Sequence, residues 1–376
     1  MPERRRVVIL STADFDAEVW TNKQHLAHGL ARRADVAYVE SFGLRAPRLT
    51  RADVARVRRR LSGGGAPSSS AQRDVAPTRV EVIRPRVVPF HGSRAVRALN
   101  RRLVDRLDVR GLEDAVLWTF SPLTYGLESR ARAVVYHSVD LLHTQPGVPA
   151  AALLEAEADL VGRADRVLAS STGVAQHLRE LGAPEVRLWE NVADTDLYSS
   201  VHAVREPRAV FAGNLTPTKI DAELMLAVVE RGVPLAVAGP VQIDGTSVPP
   251  ALRAVLAHPG VTYLGTLRPP ELALELARST VGLIPYVQNP YTAGVFPLKV
   301  HEYLAAGLAV VATELPSLMS TERPGVATVS RTGYAAAVEQ AVHAFDAAEA
   351  AERSRWAGAH SWGARIDQAE ELLRGL

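Results

Sequence analysis

No cysteine occurs among the 376 residues. That removes disulfide frameworks, thiol nucleophiles and thiolate metal ligands, and leaves the chain's own side chains without redox chemistry. Lysine is almost as scarce: Lys23, Lys219 and Lys299 stand against forty arginines. No apolar run approaches the ~20 residues that a bilayer-spanning helix needs. The opening Met1-Pro2-Glu3-Arg4-Arg5-Arg6-Val7 leads into a short apolar strand instead of a signal peptide's apolar region, so a cytoplasmic protein is expected. Aromatic side chains are few, and between 45 and 110 only Phe90 is present, which argues against base stacking and a nucleic-acid partner.

With 47% hydrophobic and 22% charged residues, the composition is that of an ordinary globular protein, and the length suits two domains. Charge is uneven. Residues 45–110 hold seventeen arginines and five carboxylates. Two readings stay open: a solvated arginine-rich surface, or a surface for an anionic partner such as lipid headgroups, worth roughly 1 kcal/mol per basic residue. A short basic helix is expected at 50–61, with Val54, Val57 and Leu61 as a small apolar face, followed by a glycine and serine run to Ser70. Any peripheral membrane contact through 45–110 is therefore expected to be weak and salt-sensitive.

The run from Arg6 to Ser11 reads as a buried strand, the next stretch to Arg33 as a polar loop and helix, and Val36–Glu40 as a second strand. Further strands are expected at 80–83, 115–119, 133–137 and 166–170. A second series covers 209–213, 235–239, 261–264, 281–285 and 309–313, each strand ending in glycine, proline or a polar residue. The simplest architecture is α/β, with two doubly wound parallel sheets joined near residue 200 and ligands held outside the carboxyl ends of the strands, in a cleft between the sheets.

The most informative segment is Asn289-Pro290-Tyr291-Thr292-Ala293-Gly294-Val295-Phe296-Pro297-Leu298-Lys299-Val300-His301-Glu302-Tyr303-Leu304-Ala305-Ala306-Gly307. Pro297 suits a helix's first turn, whose amides favour an anion. Lys299 adds a full charge, and Glu302, three residues on, faces the same way and can accept from a pair of sugar hydroxyls. A phosphate contact and a diol contact one turn apart describe a nucleotide's diphosphate and ribose. Bare spacing alone would favour an incidental lysine and glutamate pair on a surface helix.

The whole run resembles the group 1 (family 4-like) glycosyltransferases of the GT-B fold, through Pro297, Lys299, Glu302, Tyr303, Ala305 and Gly307. Phe211-Ala212-Gly213-Asn214-Leu215 with Lys219 and Asp221 resembles that family's nucleotide-domain entry loop, and Asn191-Val192-Ala193-Asp194 its linker strand. Ser361-Trp362 with the following helix resembles its terminal helix. The resemblance implies Rossmann-like domains at 1–200 (acceptor) and 201–358 (nucleotide sugar), with 359–376 crossing back to the first. It also implies donor contacts from Gly213, Asn214, Lys219, Gly239, Thr266, Leu267, Gly294, Val295, Phe296, Pro297, Lys299 and Glu302. Two departures stand out: Gly294 replaces a frequent glutamate, which would pass sugar contacts to the amides of 293–296, and Asn214 replaces a common arginine.

In the first domain, Trp20 to Ala27, with His25, resembles the first helix of a subgroup that makes bacterial surface polysaccharides and secondary metabolites. Tyr136-His137-Ser138-Val139-Asp140 resembles the same subgroup's strand-end motif. His137 or Asp140 would orient the acceptor, and His143 is a weaker candidate. Asp14, Asp16 and Glu18 would line the acceptor side, although such a loop is polar in any case. No compact Asp-x-Asp accompanies the nucleotide motif, so the site is expected to hold no metal, Lys219, Lys299 and the amides of 295–298 carrying the diphosphate. The implied activity is transfer of a sugar, with retention, from a nucleoside-diphosphate sugar to a hydroxyl or amine acceptor, which is small or lipid-linked, in bacterial glycoconjugate or natural-product biosynthesis. No tightly bound cofactor is expected; a UDP-sugar is the first choice of donor, with dTDP and GDP as alternatives. The rival readings are a sugar-nucleotide epimerase of the same architecture and a noncatalytic nucleotide-sugar-binding protein.

Overall fold

The computed structural model describes residues 4–17, 20–44, 79–145, 147–241 and 248–376. The basic helix expected at 50–61 and the glycine and serine run after it lie outside the described residues, as does Glu18. The chain divides into two compact units, one reaching Trp189 and taking in Ile366–Leu376, the other Glu190–Arg365. The sequence reading draws its boundaries at 200 and 358. The contacts fall elsewhere because Asn191 Nδ2 donates to Phe296 O at 2.9 Å and Tyr198 is buried in the second core, whereas Ile366, Ala369, Leu372 and Leu373 fill the first.

The first unit is a seven-stranded parallel sheet: β1 (Arg6–Leu10), β2 (Asp35–Val39), β3 (Val80–Ile83), β4 (Val116–Thr119), β5 (Ala133–Ser138), β6 (Arg166–Ala169) and β7 (Arg187–Leu188), ordered β3-β2-β1-β4-β5-β6-β7. Along β1, Val7 and Ile9 join Leu26, Leu30 and Trp118 on one face, while Val8 and Leu10 join Val39 and Leu117 on the other. Burial on both faces explains why the strand reads as an uninterrupted apolar run. Helix Asn22–Leu30 is closed at its start by the Thr21 amide, which donates to Gln24 Oε1 at 3.0 Å. Near its end Gly29 makes room for the helix Trp362–Arg374, since a β-carbon there would lie 2.4 Å from Ile366 Cγ1 and Cδ1.

The second unit is a six-stranded parallel sheet: β8 (Ala209–Ala212), β9 (Leu235–Ala238), β10 (Val261–Gly265), β11 (Val281–Ile284), β12 (Ala309–Thr313) and β13 (Val326–Val329), ordered β10-β9-β8-β11-β12-β13. The chain reverses its winding direction between β8 and β11, the position where open α/β sheets hold ligands. Here the ladder is short, pairing only Val281 with Ala209 and Gly282 with Val210. Past it, the Ala212 amide donates to the hydroxyl of Tyr303 at 2.9 Å. Gly282 allows this, because a β-carbon would lie 2.2 Å from Tyr303 Cδ2. Helix Lys299–Ala305 is thereby bolted to the sheet at the switch point. Among the described residues no helix is long and apolar enough to cross a membrane.

Candidate functional site

Three glycines end β8, β9 and β10 or follow them directly, and all have positive φ: Gly213 at 146°, Gly239 at 134° and Gly265 at 65°. Their backbones extend the sheet by one step, Gly213 N–H donating to Ala238 O at 2.8 Å and Gly239 N–H to Gly265 O at 2.7 Å. A β-carbon on Gly239 would lie 2.1 Å from Gly213 O, and one on Gly213 would lie 2.4 Å from Lys299 Cε. The result is a side-chain-free shelf with the Lys299 stem lying across it.

Tyr286, just past β11, joins the two lysines. Lys219 Nζ stands 4.8 Å from its ring centroid, and the Lys299 charge opposes the upward shift that burial imposes on its phenol. The loop carrying Lys219 is held by a bridge between Ile220 and Tyr286, by Val287 N–H donating to Lys219 O at 3.0 Å, and by Asn289 Nδ2 donating to Thr218 O at 2.8 Å. Two ammonium groups near one buried aromatic concentrate positive charge at the switch point. Asp221, on the same loop, turns away from that site, capping helix Ala222–Glu230 and pairing with Arg331 at 2.9 Å.

Glu302 lies one helical turn from Lys299 without pairing to it, so the incidental ion pair is not what forms. Its carboxyl is raised above the usual range by burial, with the Lys299 charge acting against that rise. The Tyr198 hydroxyl lies 3.5 Å from Glu302 Oε1. Burial, together with the nearby Glu302 charge, holds the Tyr198 phenol protonated.

The backbone corrects part of the expected amide set. Ala293, Gly294 and Val295 already donate to Asn289, Tyr291 and Thr292 at 3.0, 3.1 and 3.1 Å. Pro297 has no N–H and its carbonyl instead accepts from Val300 at 3.1 Å. Of residues 293–298, that leaves Phe296 and Leu298 as amides outside this local pattern. Thr266 and Asn214 are exposed, while Leu267 is half-buried behind the Gly265 turn. A cavity lined by Leu215, Pro217, Ile220, Pro249, Leu252 and Arg331 borders the Lys219 loop but includes neither lysine.

In the first unit, His137 is enclosed: its ring lies 4.8 Å from Phe120, 6.1 Å from Trp189 and 6.2 Å from Trp118, whose Nε1 is 3.4 Å from His137 Nδ1. The side chain is buried, where the sequence reading has it projecting from the strand end. Asp140 is half-buried. Trp20 packs on His25 at 5.4 Å and on His28 at 5.6 Å. Asp14 accepts Gln24 Nε2 through its carbonyl, and the exposed Asp16 lies 3.9 Å from Arg84. The loop holding both carboxylates wraps Glu40, which receives the Phe15 amide at 3.1 Å.

The residue missed was Lys23. It is buried, its ammonium lies 5.5 Å from the Phe120 centroid, and burial lowers its pKa while the Asp140 charge opposes that shift. The rarity of lysine in this chain would have singled it out together with Lys219 and Lys299. Tyr286 and Tyr198 carried no comparable signal.

Known proteins resemble the chain in sequence and in fold. Residues 206–350 match the family described as Glycosyl transferases group 1. TuaH of Bacillus subtilis (strain 168), assigned to teichuronic acid biosynthesis as a glycosyltransferase, is 30% identical over 185 residues. That match spans 46% of this chain and 46% of TuaH. Among solved structures, HepE of Anabaena in complex with UDP and glucose superposes with a TM-score of 0.62 at 15% identity, covering 99% of this chain and 100% of that one. Sucrose-phosphate synthase from Thermosynechococcus elongatus gives 0.67 at 16% identity, with 99% of each chain covered. At such identities these structures establish the fold.

Proposed function

We propose that this chain, whose residues 206–350 match the group 1 glycosyltransferases and which has the GT-B fold, transfers a glycosyl group from a UDP-sugar to a hydroxyl acceptor in bacterial glycoconjugate assembly. The observation that carries the reading is the Lys299 stem on the Gly213 shelf, with Glu302 one turn further along. The donor's diphosphate would lie along that shelf. Lys299 and Lys219 would meet the negative charge that grows on it as the glycosidic bond breaks, the place where fixed positive charge lowers the barrier most. The amides of Phe296 and Leu298 would add neutral donors. Glu302 would accept from the ribose hydroxyls, and the backbone around Gly239 and Thr266 would hold the base. UDP is favoured because HepE, with the same fold, is known in complex with it. Asp140 with Lys23 would bind the acceptor, and His137, enclosed in rings, would keep that strand end in place.

The test is isothermal titration with UDP, GDP and dTDP, followed by transfer assays with sugars of whichever nucleotide binds. Binding of UDP that is lost in Lys299→Ala, together with release of UDP from a UDP-sugar, supports the reading. Absence of binding by all three nucleotides would end it.

A further inference from the structure

We propose that His143, Glu157 and His177 form a binding site for a divalent transition-metal ion of the Zn²⁺ class in the first unit. The three residues come from separate elements: the short turn Leu142–Thr144, helix Ala150–Val161 and helix Thr172–Glu180. One ligand-capable atom from each lies within 4.8 Å of the others. Spacings of fourteen and twenty residues match no compact ligand motif, which is why the cluster is invisible in the sequence.

The arrangement is more than a histidine and carboxylate pair. Glu157 is 6% exposed, and its two oxygens bind different groups: Oε1 accepts the Tyr136 hydroxyl at 2.5 Å, while Oε2 lies 2.8 Å from His177 Nε2. The His143 ring packs on that of His177, centroids 4.6 Å apart and tilted by 33°, and its buried Nδ1 has no hydrogen-bond partner. One carboxylate oxygen satisfies one imidazole. The second imidazole therefore brings a donor nitrogen to the cluster without a proton acceptor to meet it. Two imidazole nitrogens and one carboxylate oxygen around a point are the donor set that zinc, cobalt and nickel ions prefer. The Tyr136 hydroxyl supplies the outer hydrogen bond that commonly orients a ligating carboxylate.

Bonds of about 2.0–2.2 Å need ligand atoms roughly 3.3 Å apart. Glu157 Oε2 and His177 Nε2 already stand 2.8 Å apart, so rotation of the His143 side chain would supply the contraction, and the partial exposure of both histidines admits water as a fourth ligand. A bound ion would fasten the turn that follows Asp140 to two helices, so its role is to hold that strand end in place. This assignment is independent of the nucleotide reading above.

The experiment uses tag-free protein stripped with a chelator, titrated with Co²⁺ by visible absorption and then with Zn²⁺. The expected result is one Co²⁺ per chain with a ligand-field band, displaced by one equivalent of Zn²⁺, and a Zn²⁺-dependent rise in the thermal midpoint. His143→Ala and His177→Asn should each weaken binding at least tenfold while the metal-free variants keep the wild-type circular dichroism. His258→Ala, away from the cluster, should bind as wild type. Absence of the band in wild-type protein, or wild-type affinity in both cluster variants, overturns the site and leaves His177 and Glu157 as a plain hydrogen-bonded pair. The wild-type titration decides the matter even if a variant fails to fold.

Discussion

Lys299 crosses the backbone of Gly213 so closely that a β-carbon at position 213 would lie 2.4 Å from its Cε and 2.8 Å from its Nζ. Gly213→Ala therefore meets two obstacles, a φ of 146° and the lysine itself. Donor affinity is expected to fall at least tenfold in titration calorimetry, with the far-ultraviolet spectrum retained. Unchanged affinity would mean that the shelf is not the diphosphate site.

Lys299→Ala and Glu302→Ala should each weaken UDP binding by about 1–3 kcal/mol, the range for losing a charge-assisted hydrogen bond. The two residues are expected to differ in what they recognise. Truncating Lys299 should reduce affinity for UDP and for 2′-deoxy-UDP alike, while truncating Glu302 should largely abolish the preference for ribose. Calorimetry with both nucleotides separates the roles.

Lys23→Met tests the acceptor end. Methionine keeps the length of the side chain and removes the cost of burying a charge, so the thermal midpoint is expected to hold or rise. Acceptor kcat/KM should drop at least tenfold while UDP affinity stays at the wild-type value. A lower midpoint with intact transfer would instead make Lys23 a structural partner of Asp140.

The ring of His301 lies between Phe296, at 5.3 Å, and His360, at 4.4 Å. Burial, then the charges of His360, Arg323 and Arg365, push its pKa well below the ordinary 6.5, and His360 shifts in the same direction. Both rings take up a proton less readily in the fold than in the unfolded chain, where a histidine titrates near pH 6.5. Their contribution to stability is thus complete above that value and is lost as pH falls below it, by up to about 1.4 kcal/mol per pH unit for each proton. His301→Phe keeps the stack and should flatten the fall in thermal midpoint between pH 7 and pH 5. An identical slope in the variant would assign the acid sensitivity to other groups.

Gly29→Ala should destabilise the first unit by about 1–3 kcal/mol through overpacking against Ile366, despite alanine's better helix propensity. Urea unfolding measures the loss. Combining it with Ile366→Ala should recover part of that cost, because the two changes share one contact.

Both sheets were legible because their inner strands are apolar runs buried on two faces and closed by glycine, proline or a polar residue. The strands missed, β7 and β13, are edge strands: β7 is only two residues long, with Arg187 and Leu188 exposed, and Val326–Val329 is no more than half-buried, whereas the equally exposed edge strands β3 and β10 were read from their β-branched residues. At the site, scarcity marked Lys219 and Lys299, since a lysine in an arginine-rich chain is a choice of side-chain shape. Tyr286 and Tyr198 were not legible, because Tyr286 meets Lys219, and Tyr198 meets Glu302, from elements far away in sequence. Of the amides expected to serve at 293–296 and 295–298, several are engaged locally instead. The turn Pro290–Ala293 uses three of those N–H groups itself, and proline supplies none.

Residues 366–376 complete the core of a unit whose other residues all precede Glu190. In topological terms the second unit is an insert, and the first is a discontinuous domain closed by its last helix. The segment 190–365 can be produced as one continuous polypeptide, whereas the first unit requires two pieces of chain to meet. Removing the last eleven residues would strip Ile366, Ala369, Leu372 and Leu373 from the core that β1 begins, so a truncation at one end of the chain would register as instability at the other.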